Sequence, residues 1–343
     1  MTDPLMAAAM KLAPSMDALA AIGARARIGS DGTEVDPRIR DLLDRIVAQV
    51  VGAEEPVGTE DPVGTGGSAM DGSAAGDSDA AVLGLAEALL SLGLDLVRHP
   101  ERAMGWEHTD VALLQSIGRL SGAIAGAIES ADRVEPRLGH VVHREDGVFL
   151  DVGTGTGWLA IAMARTFPNL RIVGVDVFEP ALELARRNVV DEGLDDRIEL
   201  RLQDASQLDD VDAYDAVWIA LPFIPGPIVP AVLDAARRSL RHGGVVLPGT
   251  FDRPPDRLAR MLVELRTLRS GGHPWSPTEL CDLLSERGFE SARHLPRTWP
   301  VPVELYLAEV AAAAGHFEAI DDRGYFTKLE AKFAKLLNFD ADV

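Results

Sequence analysis

The pattern of apolar and polar positions changes near residue 149. From there, short apolar runs alternate with segments whose apolar residues recur every three or four positions. The runs VFLDV, RIVGVDV, IELRLQDA, YDAVWIAL and GGVVLPG predict strands, and WLAIAMARTF, PALELARRNVVDEG and PAVLDAARRSLRHG predict the helices between them. This alternation is typical of βαβ units and a parallel sheet. Residues 289–295 and 304–310, joined by the loop PRTWPVP, predict an antiparallel hairpin at the edge of that sheet.

The preceding part of the chain has a helical pattern. Residues 15–27, 81–98 and 110–131 predict helices, and the small residues of GRLSGAIAGAIESA would permit close helix packing. Residues 38–51 predict an amphipathic helix, whose apolar face consists of Ile39, Leu42, Leu43, Ile46 and Val50. The segment YFTKLEAKFAKLLNF predicts another amphipathic helix near the end of the sequence.

These patterns divide the chain into five parts. Residues 52–80 are rich in glycine, proline, serine and acids and have little to bury, so they predict a flexible linker. The full division is 1–51, N-terminal helices; 52–80, linker; 81–140, a helical lid or dimerisation region; 141–311, the core with the alternating pattern; and 312–343, a helical tail.

Charge and cysteine content narrow the choice of partners and compartment. The 343 residues include 33 basic and 54 acidic side chains, a net charge of −21, which disfavours nucleic acid and anionic membranes. The single cysteine, Cys281, excludes an intrachain disulfide and suits a reducing cytosol. Residues 1–30 lack a signal-peptide pattern, and by this pattern no apolar run is long enough to span a bilayer. We therefore expect a cytoplasmic protein.

A glycine-rich turn carries the main functional signal. In FLDVGTGTGWLAIAMA, an apolar run is followed by glycines and then by a helical segment. A strand, a glycine turn and a helix N-terminus in this order form a binding motif for a nucleotide-like ligand. The spacing is G-x-G-x-G at Gly153, Gly155 and Gly157, with Asp151 two residues before it. Trp158 occupies the place of the third glycine in the dinucleotide fingerprint, which argues against a pyrophosphate pressed onto this turn.

The sequence resembles the class I S-adenosylmethionine-dependent methyltransferases over roughly residues 142–310. Their first motif matches Asp151 and the three glycines. Their second motif, an acid that ends the next strand, matches Asp176, and their third, an acid after the strand that follows, matches Asp204. The resemblance implies a Rossmann-like seven-stranded sheet with a terminal antiparallel hairpin. It also implies a helical N-terminal domain, as in many actinobacterial small-molecule methyltransferases.

The same resemblance implies which residues hold S-adenosylmethionine. Asp176 would accept both ribose hydroxyls, and Asp204 would meet the adenine amino group. Arg119, one helical turn after Gln115, would reach the methionine carboxylate unless it lies on a plain solvated face. Each acid taken alone could equally cap a helix or a turn. The implied cofactor set is Asp151, Gly153, Thr154, Gly155, Gly157, Asp176, Val177, Asp204, Ala205 and Arg119.

The segment after the fourth strand indicates the class of acceptor. Methyltransferases acting on planar amides or adenine have Asn/Asp-Pro-Pro-aromatic there, whereas this chain has ALPFIP at residues 220–225. No side chain in that segment accepts a hydrogen bond from an amino group, so an apolar wall is expected, in addition to a rigid proline turn. Trp106, Phe223 and Trp275 are candidate acceptor contacts. We expect a small, largely apolar metabolite methylated on oxygen, carbon or nitrogen.

Candidates for acid–base catalysis are few. His273 and His108 lie in loops that often cover the acceptor in this family, although either could be a surface or capping residue. No spacing marks a metal site, but one assembled from histidines and acids across the fold stays open. Two other functions also stay open: transfer of another part of the cofactor, such as an aminopropyl group, and cofactor binding without turnover. A homodimer formed through the N-terminal helices is a further expectation.

Overall fold

The computed structural model describes residues 4–31, 34–50 and 88–311. The predicted linker at 52–80, the start of the predicted helix at 81–98 and the predicted tail helix lie outside the described residues.

One seven-stranded sheet forms the centre of the described fold, which confirms the predicted fold class. Its order is β3-β2-β1-β4-β5-β7-β6; the first five strands are parallel, and β7 is antiparallel to both β5 and β6. The terminal hairpin therefore places β7 inside the sheet and β6 at its edge. The strands are β1 Val148–Val152, β2 Arg171–Asp176, β3 Ile198–Leu202, β4 Tyr214–Ala220, β5 Leu240–Phe251, β6 Glu290–His294 and β7 Val303–Glu309.

Helices cover both faces of the sheet. Consecutive β1 residues are buried on opposite sides: Phe149 packs in one apolar cluster with α5–α7 residues and Leu150 in another with α9 and α11 residues. The helices are α1 Pro4–Asp31, α2 Pro37–Val50, α3 at 88–98, α4 Val111–Gly122, α5 Ile124–Asp132, α6 Pro136–Val142, α7 Trp158–Thr166, α8 Glu179–Asp191, α9 Val229–Ser239, α10 Arg257–Arg269 and α11 Pro277–Glu286.

The N-terminal helices pack on α10, which follows β5. A third apolar cluster joins α1, α2 and α3 to Leu265 and its neighbours on α10. Arg266 pairs with Asp17, and Arg269 pairs with Asp95 at 3.0 Å, so charges also hold this region in place. Four of the five predicted apolar-face residues of α2 are buried, but Val50 is 41% exposed because it ends the helix.

Two predicted helices differ from the structure. The one at 110–131 is divided at Ala123, after Gly122, into α4 and α5. The one predicted to run to residue 243 stops at Ser239, because Leu240 already pairs with Tyr214 in the sheet and is buried there. A register shift follows, and Gly243 adopts a φ of 75° before the regular part of β5 begins.

The sequence analysis expects no apolar run long enough to span a bilayer. Judged by length and composition alone, this expectation is wrong. Residues Val111–Asp132 are helical, 22 residues long and have a mean hydropathy of 1.4, which would suffice to cross a bilayer. In the fold, α4 and α5 instead pack against α7. The predicted close packing is present, because a Cβ added at Gly118 would lie 1.8 Å from Thr156 Oγ1.

Candidate cofactor and acceptor site

The glycine loop after β1 requires glycine at three places. Gly153, Gly155 and Gly157 have φ angles of 79°, 55° and 80°, which L side chains rarely adopt. The N–H groups of Gly153 and Thr154 both donate to the Val175 carbonyl, at 2.9 and 3.1 Å. These bonds anchor the loop at the end of β2.

Asp151 lies beneath this loop and keeps one oxygen without a partner. Its Oδ2 accepts a hydrogen bond from Thr154 Oγ1 at 2.7 Å, whereas Oδ1 is buried and has no partner in the described part of the chain. Burial raises the pKa of Asp151 to about 7. Thr156 Oγ1 is also buried without a partner. Thr156 Oγ1 faces Gly118 on α4, whereas Asp151 Oδ1 lies beneath the loop. Buried polar atoms left unpaired cost free energy, so Asp151 Oδ1 fits a polar ligand at the loop.

Asp176 is fixed by backbone donors on both sides. Its Oδ2 accepts from the Gly155 N–H at 2.8 Å and its Oδ1 from the Phe178 N–H at 2.9 Å. Burial nevertheless raises the pKa of this carboxyl. Since each carboxylate oxygen can accept a second hydrogen bond, Asp176 can still receive two hydroxyl groups. Val177 and Leu202, 70% and 56% exposed, provide apolar surface at the same edge.

Asp204 caps the short turn Ala205–Gln207. Its Oδ1 accepts from the N–H and the hydroxyl of Ser206, at 2.8 and 2.7 Å, and its Oδ2 accepts from Gln207 Nε2 at 3.1 Å. These bonds from Ser206 lower the pKa of Asp204. The capping role is therefore present in the structure, and the adenine role stays a prediction.

A polar network joins α4 to the glycine loop. Trp158 Nε1 donates to Gln115 Oε1 at 2.8 Å, and Gln115 Nε2 donates to Asn188 Oδ1 at 2.9 Å. Asn188 Nδ2 in turn donates to the Thr156 carbonyl at 2.8 Å. Sequence analysis missed Asn188; the signals for the network were Gln115, a polar residue on an apolar helix, and Trp158 at a fingerprint glycine position. Arg119 is exposed, with its guanidinium 5.5 Å from the centre of the Trp158 ring.

The connector between α3 and α4 reaches the segment after β4. Trp106 packs edge-on against Phe223, with ring centres 5.3 Å apart, and against His108 at 4.9 Å. Phe223 also contacts Phe251 at 6.1 Å, an aromatic that sequence analysis did not single out. We call Trp106, Phe223 and Phe251 the aromatic wall. A Cβ added at Gly153 would lie 3.4 Å from Ala220 Cβ, so the segment leading to the wall adjoins the glycine loop.

His273 and Trp275 form a separate group. Their ring centres are 4.5 Å apart, and His273 Nε2 lies 3.3 Å from Glu279 Oε1. Both line a cavity of about 350 Å³ together with Pro222 and Phe251. Trp106 and His108 line a smaller cavity of about 60 Å³ on another face of α10. The structure thus brings Trp106, His108 and Phe223 together. His273 and Trp275 lie on a loop that packs against the same segment after β4, since a Cβ added at Gly226 would lie 3.0 Å from His273 Cβ.

The two candidate bases differ in environment. His108 is half-buried, and burial lowers its pKa, so the imidazole is neutral at pH 7 and can accept a proton. The His273 side chain is 41% exposed, and its ring nitrogen Nε2 lies 3.3 Å from Glu279 Oε1. Across the described ranges, no cluster of three or more His, Cys, Asp or Glu side chains is arranged to hold a metal ion.

Comparison with known proteins identifies the class. Residues 149–244 match the family described as a methyltransferase domain. With this match, the strand order and the three acidic motifs, the chain carries a class I S-adenosylmethionine-dependent methyltransferase domain, which confirms the resemblance seen in the sequence.

Individual relatives match only parts of the chain or its fold. Methyltransferase GfsG of Streptomyces halstedii is 33% identical over 149 residues, which are 41% of this chain and 51% of that protein. The chain spans about half or less of the length of the first relatives it matches. Two solved structures share the fold. Trans-methyltransferase CalH in complex with SAH has a TM-score of 0.58 and 18% identity, and the match covers 88% of this chain and 91% of that chain. The CurJ carbon methyltransferase has a TM-score of 0.57 and 14% identity, and the match covers 88% of this chain and 92% of that chain.

Proposed function

We propose that the chain transfers a methyl group from S-adenosylmethionine to a small, largely apolar acceptor at the aromatic wall. The observation that carries the proposal is Asp176, whose carboxylate is held by the Gly155 and Phe178 N–H groups and retains room for two hydroxyl donors. A ribose offers such a pair of hydroxyls beside an adenine ring, for which Val177 and Leu202 provide apolar surface.

The remaining loop residues fit the other parts of that cofactor. The open backbone at Gly155, where an added Cβ would meet nothing within 4 Å, leaves space for a ligand against the loop. Asp151 Oδ1 is a buried oxygen without a partner among the described residues, and its carboxyl can hydrogen-bond a polar group of the ligand. Asp204 retains acceptor capacity at Oδ2 for an adenine amino group.

The chain has to align the acceptor and keep water away from the transferred group. The cofactor supplies a methyl carbon already activated by a positively charged sulfur, so proximity and water exclusion provide most of the rate. Ala220 adjoins the glycine loop, and Phe223, three residues later, packs with Trp106 to provide apolar surface for both purposes. If the acceptor is a hydroxyl, neutral His108, whose ring contacts Trp106 of the aromatic wall, is our candidate to take its proton.

Binding and turnover together test this proposal. Titration calorimetry should show micromolar affinity for S-adenosylmethionine and S-adenosylhomocysteine and little affinity for NAD. Incubation with a methyl-labelled donor and a cell extract should label a small molecule. Tighter binding of NAD would contradict the cofactor assignment. Cofactor binding without any labelled product would favour a binding protein, and labelling of tRNA or protein would contradict the acceptor class.

Homodimerisation and cytoplasmic location stay predictions. The N-terminal helices bury much of their apolar surface against α10 in the same chain, so a dimer would have to use their outer faces. Sedimentation of the purified chain measures its oligomeric state, and fractionation of cells measures its location.

A further inference from the structure

We propose that the 350 Å³ cavity between α10, the end of β5 and the loop at 272–276 binds a carboxylate or phosphate group of the acceptor. The inference rests on the proposed function, because it specifies the acceptor side of the same site. The acceptor would then be an apolar molecule with one anionic group.

The side chains that line the cavity carry a net positive charge, opposite in sign to the charge of the whole chain. The chain as a whole carries −21, yet the cavity is lined by four arginines and two carboxylates. One of these carboxylates, Asp252, already forms an ion pair with Arg297 at 3.2 Å. The arginines are Arg45, Arg253, Arg257 and Arg260. A guanidinium presents paired donors that match the geometry of carboxylate and phosphate, so the local excess favours such a group.

One buried donor and one exposed arginine at the cavity have no protein partner among the described residues. Trp275 Nε1 is buried and makes no hydrogen bond within the described residues. Arg260 forms no ion pair there, although most arginines in the structure do. A buried N–H group without an acceptor is unfavourable, so an anion that reached Trp275 Nε1 would satisfy it. Arg260 is exposed and adds a guanidinium that no carboxylate of the described residues pairs with.

The position of the cavity connects it to the cofactor loop. Pro222 lines the cavity and lies two residues after Ala220, whose Cβ would be 3.4 Å from a Cβ at Gly153. Phe251 belongs to both the cavity and the aromatic wall. A molecule with its apolar part on Phe251 and its anionic part between the arginines would therefore reach toward the glycine loop. A volume of about 350 Å³ is sufficient for a ring with one charged substituent.

One arginine of the cavity, Arg45, belongs to the N-terminal helices. It comes from α2, where it also pairs with Asp41 at 3.1 Å, whereas Arg257 and Arg260 come from α10. The cavity is thus complete only when the N-terminal helices are docked on α10. This arrangement explains why an enzyme of this class would keep a helical region there.

Matched probes test the charge requirement. Benzoate, phenyl phosphate and the neutral isostere benzamide are titrated into the full chain, with and without S-adenosylhomocysteine, and followed by calorimetry and tryptophan fluorescence. We expect at least one anion to bind about tenfold more tightly than benzamide and to weaken as NaCl rises from about 0.05 to about 0.3 M. The tighter anion identifies carboxylate or phosphate as the natural group. Equal affinity for benzamide and both anions would overturn the proposal.

Variants locate the site. Arg260→Gln and Trp275→Phe should each weaken anion binding about fivefold and leave benzamide unchanged, because each removes a donor but little apolar surface. Arg238→Gln, an exposed arginine on α9, is the control and should have no effect. Unchanged anion affinity in both test variants would also overturn the proposal. S-adenosylhomocysteine binding is read in the same experiment, so failure of the cofactor assignment is distinguished from failure of the anion site.

Discussion

The Gly155 N–H donates to Asp176 Oδ2 at 2.8 Å, so the first two motifs of the domain form one hydrogen-bonded unit. The glycine loop after β1 therefore orients the carboxylate at the end of β2 before any ligand arrives. Such preorganisation lowers the entropy cost of binding a ribose.

Replacing Asp176 should weaken the cofactor site without unfolding the chain. For Asp176→Ala we expect S-adenosylhomocysteine binding to lose about 1.5–3 kcal/mol, the range for hydrogen bonds to a charged group. Titration calorimetry measures the loss, and circular dichroism checks the fold. Full affinity in a folded variant would show that the ribose is bound elsewhere.

Gly157 should be required for packing as well as for its backbone angle. A Cβ there would lie 3.2 Å from Ala185 Cβ, at a φ of 80°. We expect Gly157→Ala to lower the free energy of unfolding by more than about 1 kcal/mol in urea denaturation. The control is Gly193→Ala, which has a φ of 65° but no atom within 4 Å, and should cost less. Equal losses of unfolding free energy in the two variants would mean that backbone strain, and not packing against Ala185, causes the destabilisation.

The stability of the chain should fall as pH rises toward 7, through Asp151. Burial raises the pKa of this carboxyl from 3.8 to about 7, so between these values the folded state holds a proton that the unfolded state has lost. The unfolding free energy should then fall by up to about 1.4 kcal/mol per pH unit over that window. Urea denaturation of the wild type and Asp151→Asn at pH 5.5 to 7.5 measures this. Parallel pH profiles for the two proteins would contradict the assignment.

Gln115 should stabilise the docking of α4, and Arg119 should not. Gln115→Leu leaves Trp158 Nε1 without its 2.8 Å acceptor and removes a partner of Asn188, so we expect a loss of about 1–3 kcal/mol in unfolding free energy. Arg119→Gln removes only an exposed cation–ring contact and should cost about 0.5–1 kcal/mol or less. Weaker S-adenosylhomocysteine binding by a stable Arg119→Gln variant would instead support its predicted role at the methionine carboxylate.

His108 should affect turnover more than His273. His108 contacts Trp106 on the aromatic wall and has a lowered pKa, whereas the Nε2 atom of His273 lies 3.3 Å from Glu279 Oε1. If a base is needed, we expect His108→Gln to lower kcat by about 10²-fold or more and His273→Gln by less than about threefold. The wild-type rate should be lost as pH falls through the lowered pKa of His108, since only the neutral ring accepts a proton. Equal rates for both variants and the wild type would indicate an acceptor that needs no base, such as a neutral amine.

The sequence by itself determined the parallel sheet, its terminal hairpin and the class of ligand. Strand and helix periods are local properties, and Gly153, Gly155 and Gly157 are required by backbone angles that only glycine adopts easily. Asp151 and Asp176 could be recognised because each belongs to the end of the strand that positions it, Asp151 as the next-to-last residue of β1 and Asp176 as the last residue of β2.

Tertiary structure alone decided which side chains meet. The Gln115–Asn188 bond joins residues 73 positions apart, and the contact of Trp106 with Phe223 depends on how α10 seats the N-terminal helices. The break at Ala123 and the early end of α9 were likewise set by packing and by strand pairing, which override local helix propensity. The arginines of the cavity come from α2, α10 and the end of β5, so no local pattern could reveal that they converge.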